Sequence, residues 1–272
     1  MTGRAESQRW RAELKAKLRA HEFLVGVLIK APNPAAVEMC GHLGLDLVLL
    51  DAEHGAGGTS DLEHHMRAAD SAGIGVVVRV AGNDASLILQ ALDAGAAGVA
   101  VPHVSNAKDA QRAVEAAHYP PLGRRSFATT THAGRQGSAS MEDHLEHSAR
   151  ETVVAVQIED AEGASAASEI AAVDGVDMLW LGFNDLDLDL RRHLQLSEQA
   201  AKSTVDDLMA ACTTPGHPPL AVIGGRNPDM AAWRDRGVTV VLVTLHDILN
   251  EGLGRIVTSR QAVREAPPIY EH

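Results

Sequence analysis

Eight short apolar runs recur along the 272 residues, each followed by a stretch with helical periodicity. They are Leu24–Ile29, Asp46–Asp51, Gly75–Val80, Gly98–Pro102, Val153–Glu159, Asp177–Gly182, Pro219–Ile223 and Val238–Thr244. Segments such as LVLL, VVVRV and TVVLVTL are continuously apolar, the pattern of parallel strands covered on both faces. Helix starts stand between them: Asn33-Pro34, Ser60-Asp61, Asn83-Asp84, Ser105-Asn106 and Asn227-Pro228. Alternation of this kind implies right-handed βαβ crossovers, and eight units in this length imply a single α/β domain, a closed (β/α)8 TIM barrel spanning 23–260. Residues 1–22 supply an extra N-terminal helix, Glu6–Ala20, that closes the barrel bottom, and 261–272 form a C-terminal tail. With only three Phe, three Trp and two Tyr, Ala, Val, Leu and Gly must fill the core.

The net charge of −12 argues against nucleic acid or an anionic membrane surface as partner, because both demand a basic face. No apolar stretch reaches membrane-span length and no signal segment opens the chain, so a soluble cytoplasmic protein is expected. Cys40 and Cys212 lack paired spacing and read as buried thiols. One connection is long: about thirty residues from Tyr119 to Arg150. It reads as an accessory segment, either an oligomer contact or a wall of a neighbour's site.

Barrel active sites lie where strands end. There the sequence places Asp51, Glu53 and His54 after the second strand, Arg79 in the third, Gln157 and Glu159 in the fifth, and Asp185 after the sixth. Each has a plain alternative: Asp51 capping a turn, His54 an exposed loop histidine, Arg79 a salt-bridged barrel arginine, Glu159 an acid at a helix start. Asp187 and Asp189 read as a solvated acidic loop. Two carboxylates from adjacent strands beside an Arg and a His suit magnesium or manganese, with cobalt or zinc also open. The expectation is a metal-assisted enzyme acting on an oxygen-rich anionic substrate.

From Leu24 to Gly254 the chain resembles the HpcH/HpaI family of class II pyruvate aldolases. The resemblance rests on LLDAEHG, VVVRV, ALDAGAAGVAVPHV, HYPPLGRRSF, VQIED and GFNDLD in that order. It implies that Glu159 and Asp185 bind the divalent cation and that Arg79 contacts the keto oxygen of a 2-oxo acid. It also implies that backbone amides near Gly182 and Asn184 hold the substrate carboxylate, that Gln157 supports the site, and that His54 paired with Asp93 moves the proton. The implied reaction is reversible cleavage of a 4-hydroxy-2-oxo acid to pyruvate, or a close 2-oxo acid, and an aldehyde through a metal-stabilised enolate. A decarboxylase or other carbon–carbon lyase using the same enolate is the alternative, and a non-catalytic barrel scaffold a further one. The implied assembly is a homo-oligomer, a hexamer built as a trimer of dimers that swap a helix at Leu245–Val257. The chain departs from the family pattern at Phe183, Asn184, Asp187 and Ser126.

Overall fold

Each of the eight apolar runs contains a parallel strand in the computed structural model, which describes residues 9–55 and 58–265. The strands are β1 (Leu24–Ile29), β2 (Leu47–Asp51), β3 (Gly75–Arg79), β4 (Gly98–Val101), β5 (Val153–Ile158), β6 (Met178–Leu181), β7 (Leu220–Ile223) and β8 (Val240–Thr244). They pair in chain order and β8 closes onto β1, giving an α/β TIM barrel. Val76, Val77 and Val78 are wholly buried because such a strand meets side chains inside the barrel and helices outside it.

The outer helices are α2 (Pro34–His42), α3 (Thr59–Ala72), α4 (Ala85–Asp93), α5 (Ala107–Ala117), α6 (Met141–Glu151), α7 (Ala161–Ser165), α8 (Ala167–Ala171), α9 (Phe183–Leu188), α10 (Glu198–Cys212), α11 (Met230–Asp235) and α12 (Leu245–Glu265). Asn33, Asp84 and Asn106 cap their helices through the side chain, as their positions predict. Two starts move. In α3 the cap is Gly58, whose N–H donates to Asp61 Oδ2 at 2.8 Å, so Asp61 acts from inside the first turn. In α11 the cap is Asp229, which accepts from the Ala232 N–H.

The end of the barrel where the strands begin is closed by α1 (Arg9–Arg19); residues 6–8 of the expected helix lie outside the described residues. Leu14 fills the space that a side chain on Gly75 would occupy, 2.7 Å from an ideal Cβ there. Lys15 is buried and joins Asp177, at the start of β6, at 2.9 Å, and it also donates to the Thr152 carbonyl before β5. The long connection holds α6 and is tied to this same end. Arg125 pairs with Asp93 at 2.7 Å, His132 with Asp70 at 2.9 Å, and the Ala133 N–H donates to the Asp93 carbonyl.

His118, buried under this segment, has its pKa pushed down to about 4 by burial, with Lys15, Arg125 and Arg19 adding to the effect. The unfolded chain therefore binds a proton that the folded chain refuses. His118 should lower stability as pH falls from about 6.5 to about 4, by up to about 3 kcal/mol. Urea midpoints across that window should fall less steeply in His118→Leu than in the wild type; parallel slopes would contradict this assignment.

At the other end of the chain, α12 continues through Glu265, and the rest of the expected tail, 266–272, lies outside the described residues. Leu253 and Ile256 of α12 are 59% and 66% exposed. Cys40 and Cys212 are free and buried, and burial pushes the Cys212 thiol up to about 12. Among the described residues no helix is long and apolar enough to cross a membrane.

Candidate active site

The polar groups meet because of strand register. Asp51 and Arg79 are Cα partners across β2 and β3, so their side chains leave the sheet next to each other. Arg79 Nε lies 2.9 Å from Asp51 Oδ1 and Nη2 lies 2.5 Å from Oδ2, a bidentate fork. Asp51 Oδ1 also accepts the N–H groups of Glu53 and His54. Both plain alternatives are thus realised: Asp51 caps its turn, and Arg79 is salt-bridged. Burial opposes the charge on Asp51, but Arg79, the His54 amide and Lys30 outweigh it and hold its pKa below the ordinary value.

With two nitrogens committed to Asp51, Arg79 turns Nη1 toward the mouth. It lies 3.0 Å from Glu53 Oε2 and 3.4 Å from Gln157 Oε1, and the guanidinium carbon Cζ stands over the ring of Trp180, 5.0 Å from its centroid. Gln157 faces Trp180 in register across β5 and β6 and donates its amide to Glu159 Oε2. Gly182 follows β6, and an ideal Cβ on it would stand 2.7 Å from both Gln157 Nε2 and Glu159 Oε2. The bare backbone of Gly182 therefore makes room for the two side chains of β5.

Glu159 is 3% exposed and does not serve a helix start, because Asp160 caps α7 through the Gly163 N–H. Burial pushes the Glu159 carboxyl above the ordinary range; the amide and charge of His103 oppose that, while Glu53 and Asp185 add to it. Asp185 stands in the first turn of α9, close enough to repel Glu159. Asn184 is exposed beside it, and Phe183 stacks on Trp233 of α11 at 6.1 Å. Asp189, expected to be solvated, instead accepts the Ala161 N–H at 2.8 Å and ties this loop to α7.

Two expected features change. Within this chain Asp93 and His54 have different partners. Asp93 is the last residue of the nine-residue α4, which starts near the mouth and runs about 13 Å toward the opposite end, where Arg125 takes its carboxylate. The described neighbour of His54, whose side chain is 55% exposed, is Glu53 at 3.8 Å. The second change is an addition: His103, just past β4, donates its backbone N–H to Glu159 Oε1 at 2.9 Å and places ring Nδ1 2.9 Å from the same oxygen, at ion-pair distance. Its Nε2 lies 3.2 Å from Glu53 Oε1. Its position after Pro102 at a strand end was the available signal, hidden among 14 histidines.

Acidic groups thus crowd the mouth. Glu53 Oε2 is buried without a well-directed hydrogen bond despite its nearness to Arg79, and Glu159 is pressed by two other carboxylates. A cation there would relieve both. Among the described residues no three His, Cys, Asp or Glu side chains form a ready-made ion site. Glu159 and Asp185 are carboxylates that could hold such an ion, with water or substrate completing its shell, a donor type that suits a hard dication. A cleft of about 420 Å³ on the barrel flank, lined by Asn83, Ser86, Arg112 and Arg124, holds none of these groups. The chemistry here is marked by charge, not by depth.

The HpcH/HpaI aldolase/citrate lyase family model matches residues 24–241, from the first strand into the last. The chain belongs to this family. It is an enzyme of the lyase class, on a barrel shared with solved family members. It is 32% identical over 226 residues to a 2-dehydro-3,6-dideoxy-6-sulfogluconate aldolase of Pseudomonas putida, covering 83% of this chain and 88% of that protein. It is 33% identical over 204 residues to a hydroxypyruvate/pyruvate aldolase of Sagittula stellata, covering 75% and 80%. The crystal structure of a family protein from Burkholderia cenocepacia superposes with a TM-score of 0.83 at 28% identity, covering 93% of this chain and all of that one.

Proposed function

We propose that this HpcH/HpaI-family lyase is a class II aldolase that joins and releases a pyruvate-type 2-oxo acid and an aldehyde. The observation that carries this reading is the convergence of Arg79, Gln157, Glu159 and Asp185 on one barrel mouth, with Arg79 pre-oriented by Asp51. The P. putida and S. stellata relatives, both named aldolases, support it.

The 2-oxo acid would lie between Arg79 and the first turn of α9. Cleavage of the C3–C4 bond leaves an electron pair on C3, delocalised onto the keto oxygen as an enolate. A divalent cation held by Glu159 and Asp185, magnesium or manganese in this reading, would supply positive charge beside that oxygen. Arg79 directs Nη1 at the developing charge without having to reorganise, because Asp51 and Trp180 hold its plane. Gln157 links the arginine to Glu159, so substrate contact and cation ligand stay in one geometry. Gly182 and the amides after it would receive the substrate carboxylate. His54, exposed at the rim, would take the C4 hydroxyl proton; its carboxylate neighbour in this chain is Glu53, not Asp93.

The same proposal includes a homo-oligomer, supported by the exposed apolar residues of α12, and light scattering reads it directly. Proton exchange tests the chemistry. The enzyme should wash deuterium into the methyl group of pyruvate in D2O, lose that activity in EDTA and regain it with manganese. Absence of exchange under every metal condition would sink the aldolase reading.

A further inference from the structure

Glu159 is held in place by a residue that has no counterpart among the expected site groups. His103 has φ = 55°, the left-handed region that side-chain-bearing residues seldom adopt and that gathers at functional sites. The turn is enforced from both sides. Pro102 precedes it, and Val104, buried, donates its N–H to the Gln157 carbonyl at 3.1 Å. The outcome is that the backbone N–H and the ring Nδ1 of one residue converge on the same oxygen, Glu159 Oε1, at 2.9 Å each. The ring is not driven there by burial, since the side chain is 63% exposed. It spans two carboxylates, with Nε2 3.2 Å from Glu53 Oε1, and so links the ends of β2 and β5 across β4.

A carboxylate offers about four acceptor positions. The His103 N–H fills one on Oε1, with the ring Nδ1 set against the same oxygen as an ion-pair contact, and the Gln157 amide fills one on Oε2, which leaves a position on Oε2 for a cation. We propose that His103 is a positioning residue whose ring locks the rotation of Glu159, so that this carboxylate meets a divalent cation through one oriented oxygen and Glu53 is kept apart from it. The inference rests on the cation reading of Glu159 and Asp185. Partners that orient a metal-ligating group commonly change metal affinity by 10–100-fold when removed.

The test measures manganese binding by the intact protein without substrate, from the free-ion electron paramagnetic resonance signal. His103→Gly keeps the left-handed backbone and its N–H and removes only the ring. His103→Asn tolerates the same backbone and restores a side-chain donor near the Nδ1 position. The expected result is a Kd raised about 10–100-fold in His103→Gly and near wild type in His103→Asn, with unchanged circular dichroism in both. Equal Kd values for His103→Gly and wild type would overturn the role of the ring while leaving the cation site standing. Binding as weak in His103→Asn as in His103→Gly would overturn the donor account. A wild type that binds no manganese would remove the cation reading and this inference together.

Discussion

Arg79→Lys should lower kcat/KM by about 10²–10³-fold with the barrel intact, the loss expected when one aimed donor to a developing oxyanion is removed. Arg79 is 5% exposed, and its three nitrogens reach three side chains at once: Asp51 by the fork, and, through Nη1, Gln157 by a hydrogen bond and Glu53 by an ion pair. A lysine ammonium is a point charge on a flexible stem and cannot span that set. It can stay near Asp51 and balance its charge, so the fold survives and the substrate-facing donor is lost. Steady-state kinetics with circular dichroism separate the two effects. Wild-type turnover in the variant would remove Arg79 from the mechanism.

Glu159→Gln should abolish cation binding and, in the metal-free protein, raise the melting temperature. The two effects have one origin. Burial and the nearby charges of Glu53 and Asp185 disfavour the Glu159 carboxylate, only partly offset by His103. A neutral amide of the same size relieves that conflict and removes the ligand, a trade of stability against function common at active sites. Differential scanning fluorimetry with and without manganese reads both. The wild type should show a cation-dependent rise in Tm that Glu159→Gln lacks; an equal rise in both would exclude Glu159 as a ligand.

The barrel was legible because its signals are local and repeated. Runs such as VVVRV and TVVLVTL need cover on both faces, and caps such as Asn33 and Asp84 mark where helices start. The acids and Arg79 were legible for the opposite reason, being polar groups inside apolar runs that need a partner to stay buried. What stayed hidden depends on three dimensions. The fork between Arg79 and Asp51 follows from the register of two strands 28 positions apart, and no spacing rule announces it. The family motif pairs Asp93 with His54, while within this chain Asp93 ends α4 and meets Arg125, a partner that no motif announces. His103 was missed because a single histidine gives little signal, and its left-handed backbone is invisible until the chain is folded.

The plug formed by α1 has a consequence for how this protein can change. Leu14 against Gly75 and Lys15 between Asp177 and the Thr152 carbonyl close one end of the barrel, while Arg79, His103, Glu159 and Asp185 occupy the other. Cohesion and chemistry draw on separate sets of residues with few members in common. Substitutions around Phe183, Asn184 and Asp187, which lie at the rim after β6, can therefore accumulate without loosening the seal beneath. A scaffold divided in this way can explore new substrates one residue at a time, since a failed attempt costs turnover and leaves a folded molecule to try again.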